Sequence, residues 1–132
     1  NGVTALSGQN VWAVGTSSNR QLRNAQQTLI EHWNGSTWTI ANSPTTTGVH
    51  GLVGVTSHAN NDVWALDTTQ TQSSFLHWNG TQWTTMQALY PGSNPALNGI
   101  ANIPGTATVW AVGSYTPTQN ATTSNALCEL YQ

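Results

Sequence analysis

Two histidines, His32 and His77, stand at matching points of this 132-residue chain, each followed by Trp-Asn-Gly. Imidazoles that recur at one repeat position could share a metal ion if further His, Cys or carboxylate ligands joined them. No such ligands recur beside them, and the third copy of the position holds Leu130. The reading left is a half-buried strand histidine, with no metal and no other cofactor expected. His50 and His58 fall in connecting segments.

The indoles around those histidines offer a different chemistry. His32-Trp33-Asn34-Gly35-Ser36-Thr37-Trp38 comes back as His77-Trp78-Asn79-Gly80-Thr81-Gln82-Trp83. Trp33 with Trp38, and Trp78 with Trp83, flank a turn. Placed in a cleft between repeat units, they would present ring faces on which the C–H face of a sugar stacks. Polar loop side chains would then bond the hydroxyls, which needs no formal charge. The other role open to the same four residues is packing between repeats. Trp12, Trp64 and Trp110 lie inside apolar strands and are assigned to the core.

Other reactive constellations are missing. Asp and Glu together number four, with no recurring pair of the kind glycoside hydrolysis uses. There is no Gly-x-Ser-x-Gly, no His near Cys128 in sequence, no phosphate loop, and no Asp-x-Asp calcium loop around Asp62 or Asp67. The expectation is a protein that is not an enzyme. Cys128 is the single cysteine, so no intrachain disulfide forms, and its place at the position of Ile30 and Phe75 reads as a small buried hydrophobe.

Composition narrows the partners. Charged residues make up 5% and the formal net charge is −2, so no basic patch exists to hold nucleic acid. No apolar run is long enough to span a bilayer as a helix, so membrane insertion is not expected. Low charge with abundant Thr, Asn and Trp is the composition of secreted or surface-exposed β proteins. The seven Trp at repeating positions argue against disorder. Asn34, Asn79 and Asn120 match the N-glycosylation pattern, but two of them sit where an Asn-Gly turn requires them.

The elements that position these residues are β-strands in three tandem repeats, approximately 1–46, 47–91 and 92–132. Leu52-x-Gly54-Val55 and Leu97-x-Gly99-Ile100, with Gly2-Val3 as a partial copy, precede Val11-Trp12-Ala13, Val63-Trp64-Ala65 and Val109-Trp110-Ala111. From the glycine to the valine the spacing is 9, 9 and 10 residues. Each repeat then continues into an apolar strand ending in an aromatic: Leu29 to Trp33, Phe75 to Trp78, and Leu127 to Tyr131. A fourth strand follows Asn-Gly in the first two repeats, where Asn and Gly suit the positive φ of a tight primed turn. The polar segments Thr16 to Gln27, Thr68 to Ser74 and Ser114 to Asn125 read as exposed variable loops.

A four-stranded unit of this length, repeated, predicts an all-β chain, a β-propeller segment of three blades with the last incomplete. Three blades do not close a ring. The pattern begins and stops inside a repeat, so the expectation is a longer chain, or copies whose blades combine.

Val11-Trp12-Ala13-Val14-Gly15 followed by His32-Trp33-Asn34-Gly35-x-x-Trp38 resembles the propeller repeats that occur in tandem in large secreted bacterial proteins. More distantly, Trp-Asn-Gly-x-x-Trp resembles the Trp-Asp-Gly-x-x-Trp hairpin of six-bladed fucose-binding lectins. That resemblance implies glycan recognition, and closure of the ring by association of short chains. In those lectins an Arg on the second strand, a Glu on the third and an aromatic hold the sugar. Here Glu31 matches the Glu and Glu129 matches it loosely; the second repeat has Leu76, and no second strand carries Arg. The expected function is therefore a secreted or cell-surface recognition module for glycan or another surface ligand, using Trp33, Trp38, Trp78, Trp83 and Glu31. The alternative is a structural or assembly repeat that associates with itself or with the rest of a longer chain.

Overall fold

The computed structural model describes residues 1–19, 25–44, 51–69, 72–118 and 121–132. The described residues are all β, with no helix and therefore none long and apolar enough to cross a membrane. Among the described residues, eleven strands form three antiparallel sheets. The first holds β1 (Gly2–Ser7), β2 (Asn10–Asn19), β3 (Ala25–Trp33) and β4 (Trp38–Ile40) in sequence order. The second repeats this with β5 (Gly51–Ala59), β6 (Asp62–Thr68), β7 (Ser73–Trp78) and β8 (Trp83–Gln87). The third has three strands, β9 (Ser93–Asn102), β10 (Val109–Thr116) and β11 (Asn125–Tyr131). No sheet closes on itself.

Register follows the repeats residue by residue. Trp12 lies opposite His32, Trp64 opposite His77, and Trp110 opposite Leu130. Because side chains alternate across a strand and cross-strand partners share a face, each sheet divides into two predictable faces. One carries Trp12, Val14, Ile30 and His32 or their equivalents. The other carries Val11, Ala13, Glu31 and Trp33 or theirs.

The sheets stack face on face through two apolar clusters. Trp12, Val14 and Ile30 of the first sheet pack with Leu52, Val63, Ala65, Leu76 and Trp83 of the second. Trp64, Leu66 and Phe75 on the far side of the second sheet pack with Leu97, Val109, Ala111 and Leu127 of the third. The signature glycines let the first strands of successive sheets approach. A Cβ on Gly2 would stand 3.1 Å from Gly54 Cα, and one on Gly54 would stand 3.0 Å from Ile100 Cγ2. A side chain at either position would crowd the neighbouring strand.

Among the described residues, parts of the polar stretches expected as loops are strand. Thr16, Ser17 and Ser18 pair with Thr28, Gln27 and Gln26, and Ser114 and Tyr115 pair with Ala126 and Asn125. The ladder continues past the buried part because antiparallel pairing satisfies backbone groups whether or not side chains are apolar. His58 likewise lies within β5 rather than in a connection, and His50 falls outside the described residues.

Trp110 and Cys128 depart from the core assignment. Trp110 is 42% exposed where Trp12 and Trp64 are each 4% exposed, and Cys128 is exposed where Ile30 and Phe75 are fully buried. The third sheet carries them on its outer face, over which no further sheet of the described residues lies.

Candidate functional site

The Asn-Gly turns are built differently from a two-residue primed hairpin. Gly35 and Gly80 have φ of 98° and 96°, while neither Asn34 nor Asn79 adopts a positive φ. Asn34 Oδ1 instead accepts from the backbone N–H groups of Ser36 and Thr37 at 3.0 Å each, and from Ser36 Oγ at 2.9 Å. Asn79 does the same with Thr81 and Gln82. This Asx geometry holds a four-residue loop against the preceding hairpin. There the Trp33 and Trp78 indoles donate to the carbonyls of Gly8 and Asn60, each at 3.2 Å. Asn120 lies outside the described residues.

The four tryptophans flanking these turns fall into two environments. Trp33 and Trp38 lie opposite each other, with ring centroids 5.7 Å apart, on the outer face of the first sheet. Glu31, which pairs with Ile40, shares that face. Trp38 is 48% exposed, and Ile40 on the same strand and Val3 on the same face are more exposed still. Trp78 and Trp83 keep the same mutual geometry, at 5.9 Å, but are set against the Trp12 ring of the first sheet. Trp83 is buried there. One indole pair is thus presented to solvent, and its repeat is spent on packing.

Each half-buried histidine lies on the tryptophan opposite it. The His32 and Trp12 rings are 4.3 Å apart, as are His77 and Trp64. Burial lowers the His32 pKa from its usual range, because desolvation disfavours the imidazolium. His32 Nε2 meets Asn10 Oδ1 at 3.0 Å. In the second sheet Asp62 replaces Asn10: its Oδ1 meets His77 Nε2 at 2.9 Å and accepts from the Trp64 indole at 2.7 Å. The histidines belong to different sheets, and the described residues contain no group of three ligands fit for a metal ion.

The Asp62 cluster opens into a cleft of about 490 Å³ between the second and third sheets, lined by Asp62, Trp64, His77, Met86, Ala107 and Gln132. Asp62 and Met86 were not marked from sequence. Asp62 stands two positions before Trp64, on the same face of one strand, and that spacing was the available signal. Glu129, aligned with Glu31, is not on an open face. It is buried between the second and third sheets, where Tyr131 Oη donates to its Oε2 at 2.6 Å and Oε1 has no partner among the described residues. Burial raises the Glu129 pKa, partly offset by that hydrogen bond.

No known protein family, curated protein or solved structure matches this chain.

Proposed function

We propose that the chain is a non-enzymatic, secreted or cell-surface assembly unit, a three-bladed segment of a β-propeller completed by a second copy of itself. One relationship carries this reading. The Trp78–Trp83 face of the second sheet is buried on the Trp12–His32 face of the first, and both faces recur, uncovered, at the two ends of the stack. The first sheet offers Trp33 and Trp38 with Val3 and Ile40. The third offers Trp110, Val112 and Leu130, of which the last two are each 47% exposed. These are the two halves of a contact the molecule already makes internally. A head-to-tail partner would repeat it, removing several large apolar side chains from water at roughly 1.5–3 kcal/mol each. Sedimentation of the chain tests this reading. Association above 14.1 kDa at micromolar concentration supports it, and a monomer throughout that range refutes it.

A second reading, glycan recognition, is favoured by one observation. Trp33, Trp38 and the Glu31 carboxylate occupy the same open face, where stacking planes and an acceptor for sugar hydroxyls stand together. Trp83 is buried against the first sheet, and Trp78 is half-buried beside it, so this pair offers less open ring face. A glycan array probed with the wild-type chain and with Trp38→Ala decides this reading. A ligand lost in the variant supports it, and no retained glycan removes it.

A further inference from the structure

The third sheet is organised to take one more strand. In the first two sheets the third strand is followed outward by a fourth, β3 by β4 and β7 by β8. β11 pairs with β10 alone among the described residues, so one side of its backbone has no ladder partner. An unpaired edge is a template for an added strand.

What that strand should carry can be read from the second sheet. There Trp83 lies opposite Trp78 and fills the space over Trp12, edge-on at 5.4 Å. The equivalent of Trp78 is Tyr131, since Val63 pairs with Trp78 and Val109 with Tyr131. Tyr131 reaches Trp64 at 6.0 Å and Phe75 at 4.2 Å. No second aromatic covers Trp64 from that sheet, and the cleft of about 490 Å³ opens there between Trp64, His77 and Met86.

A separate observation fixes a second position. Thr85 lies opposite Leu76, and the equivalent of Leu76 is Glu129, because Ala65 pairs with Leu76 and Ala111 with Glu129. Glu129 is 8% exposed and its Oε1 lacks a hydrogen-bond partner among the described residues. A buried carboxylate oxygen left unpaired is costly, and a hydroxyl beside it would relieve that cost. Ile40, which holds the matching position in the first sheet opposite Glu31, could not donate.

We infer that the β11 edge and the adjoining cleft form a binding site for an extended peptide strand carrying Trp-Thr-Thr, its indole entering over Trp64 and its second threonine donating to Glu129. The site uses the sheet edge and not the outer face that bears Trp110, so it stands apart from head-to-tail association.

The probe is a synthetic peptide with the sequence of residues 79–87, labelled for fluorescence anisotropy and titrated into the Trp110→Glu chain, in which end-face association is blocked. Saturable binding is expected, with hydrogen-exchange protection confined to the outward amides of Asn125–Tyr131. Replacing the peptide Trp by Ala should abolish binding. Replacing the peptide threonine that corresponds to Thr85 by Val should weaken binding about tenfold, the scale of a hydrogen bond to a charged group. In Glu129→Gln the Thr-to-Val difference should shrink. No binding, equal binding of the Ala peptide, or protection on another strand overturns the inference. A Trp110→Glu chain that binds the peptide while the wild type stays monomeric would overturn the assembly reading and leave this one standing.

Discussion

Trp83 meets Trp12 edge to face, centroids 5.4 Å apart and planes at 80°, across the boundary between the first two sheets. An edge-to-face pair of buried indoles combines large apolar burial with favourable ring electrostatics. Trp83→Ala should therefore destabilise the chain by about 3–5 kcal/mol in chemical denaturation. Trp38→Ala, at the same repeat position but in solvent, should cost under about 1 kcal/mol when measured on monomer. Equal losses would show that the two environments are not distinct.

The turn glycines give a paired test. At Gly80 the backbone φ is 96° and an added Cβ would stand 2.8 Å from Asn61 Cβ, whereas at Gly8 nothing lies within 4 Å. Gly80→Ala should lower stability by about 1–2 kcal/mol from the left-handed backbone alone, with the contact adding to it. Gly8→Ala should change stability by less than about 0.5 kcal/mol. Thermal melts of the two variants make the comparison.

Stability should depend on pH through His32. Its pKa in the folded chain is lowered by burial, so the unfolded chain binds protons more readily. The stability tied to keeping it neutral is present above the usual histidine pKa of about 6.5 and is lost as pH falls through the folded value. His32→Gln should flatten the slope of unfolding free energy between about pH 7 and pH 5. An unchanged slope would contradict the burial assigned to this ring.

Glu129 has the opposite sign. Its folded pKa is raised, chiefly by desolvation, above an ordinary value of 4.5. The folded chain therefore favours the protonated form, and that stability is full below the ordinary value and lost as pH rises through the folded one. Glu129→Gln keeps an acceptor for Tyr131 without the charge. It should raise the melting temperature at pH 7 and change it less at pH 4. A loss of stability at pH 7 would mean the ionised carboxylate is better solvated than its position between the sheets indicates.

The strand pattern was legible in the sequence because it repeats. The Val-Trp-Ala runs and the Asn-Gly turns locate β2, β6 and β10 and the β3–β4 and β7–β8 hairpins. What a repeat conveys is equivalence of position, and burial depends on what lies opposite. Trp12, Trp64 and Trp110 are one residue in pattern and two in environment, because no sheet of the described residues lies over the last. The same holds for Ile30 and Cys128, and for Trp83 and Trp38. The strand extensions through Ser17, Ser18 and Tyr115 were hidden because neither face there is apolar enough to leave an alternating signature. The cleft at Trp64 was out of reach for another reason. It joins residues of β6, β7 and β8 with Ala107 and Gln132 of the third repeat, whose proximity exists only once the sheets are stacked.

The central claim, that the two end faces are halves of one contact, is tested most directly by mixing two variants. Trp38→Glu spoils the outer face of the first sheet and leaves the third intact; Trp110→Glu does the reverse. Light scattering should find each variant monomeric alone and a heterodimer in the mixture, since one undamaged pair of faces remains. Variants that associate as the wild type does, or a mixture that stays monomeric while the wild type associates, would contradict it.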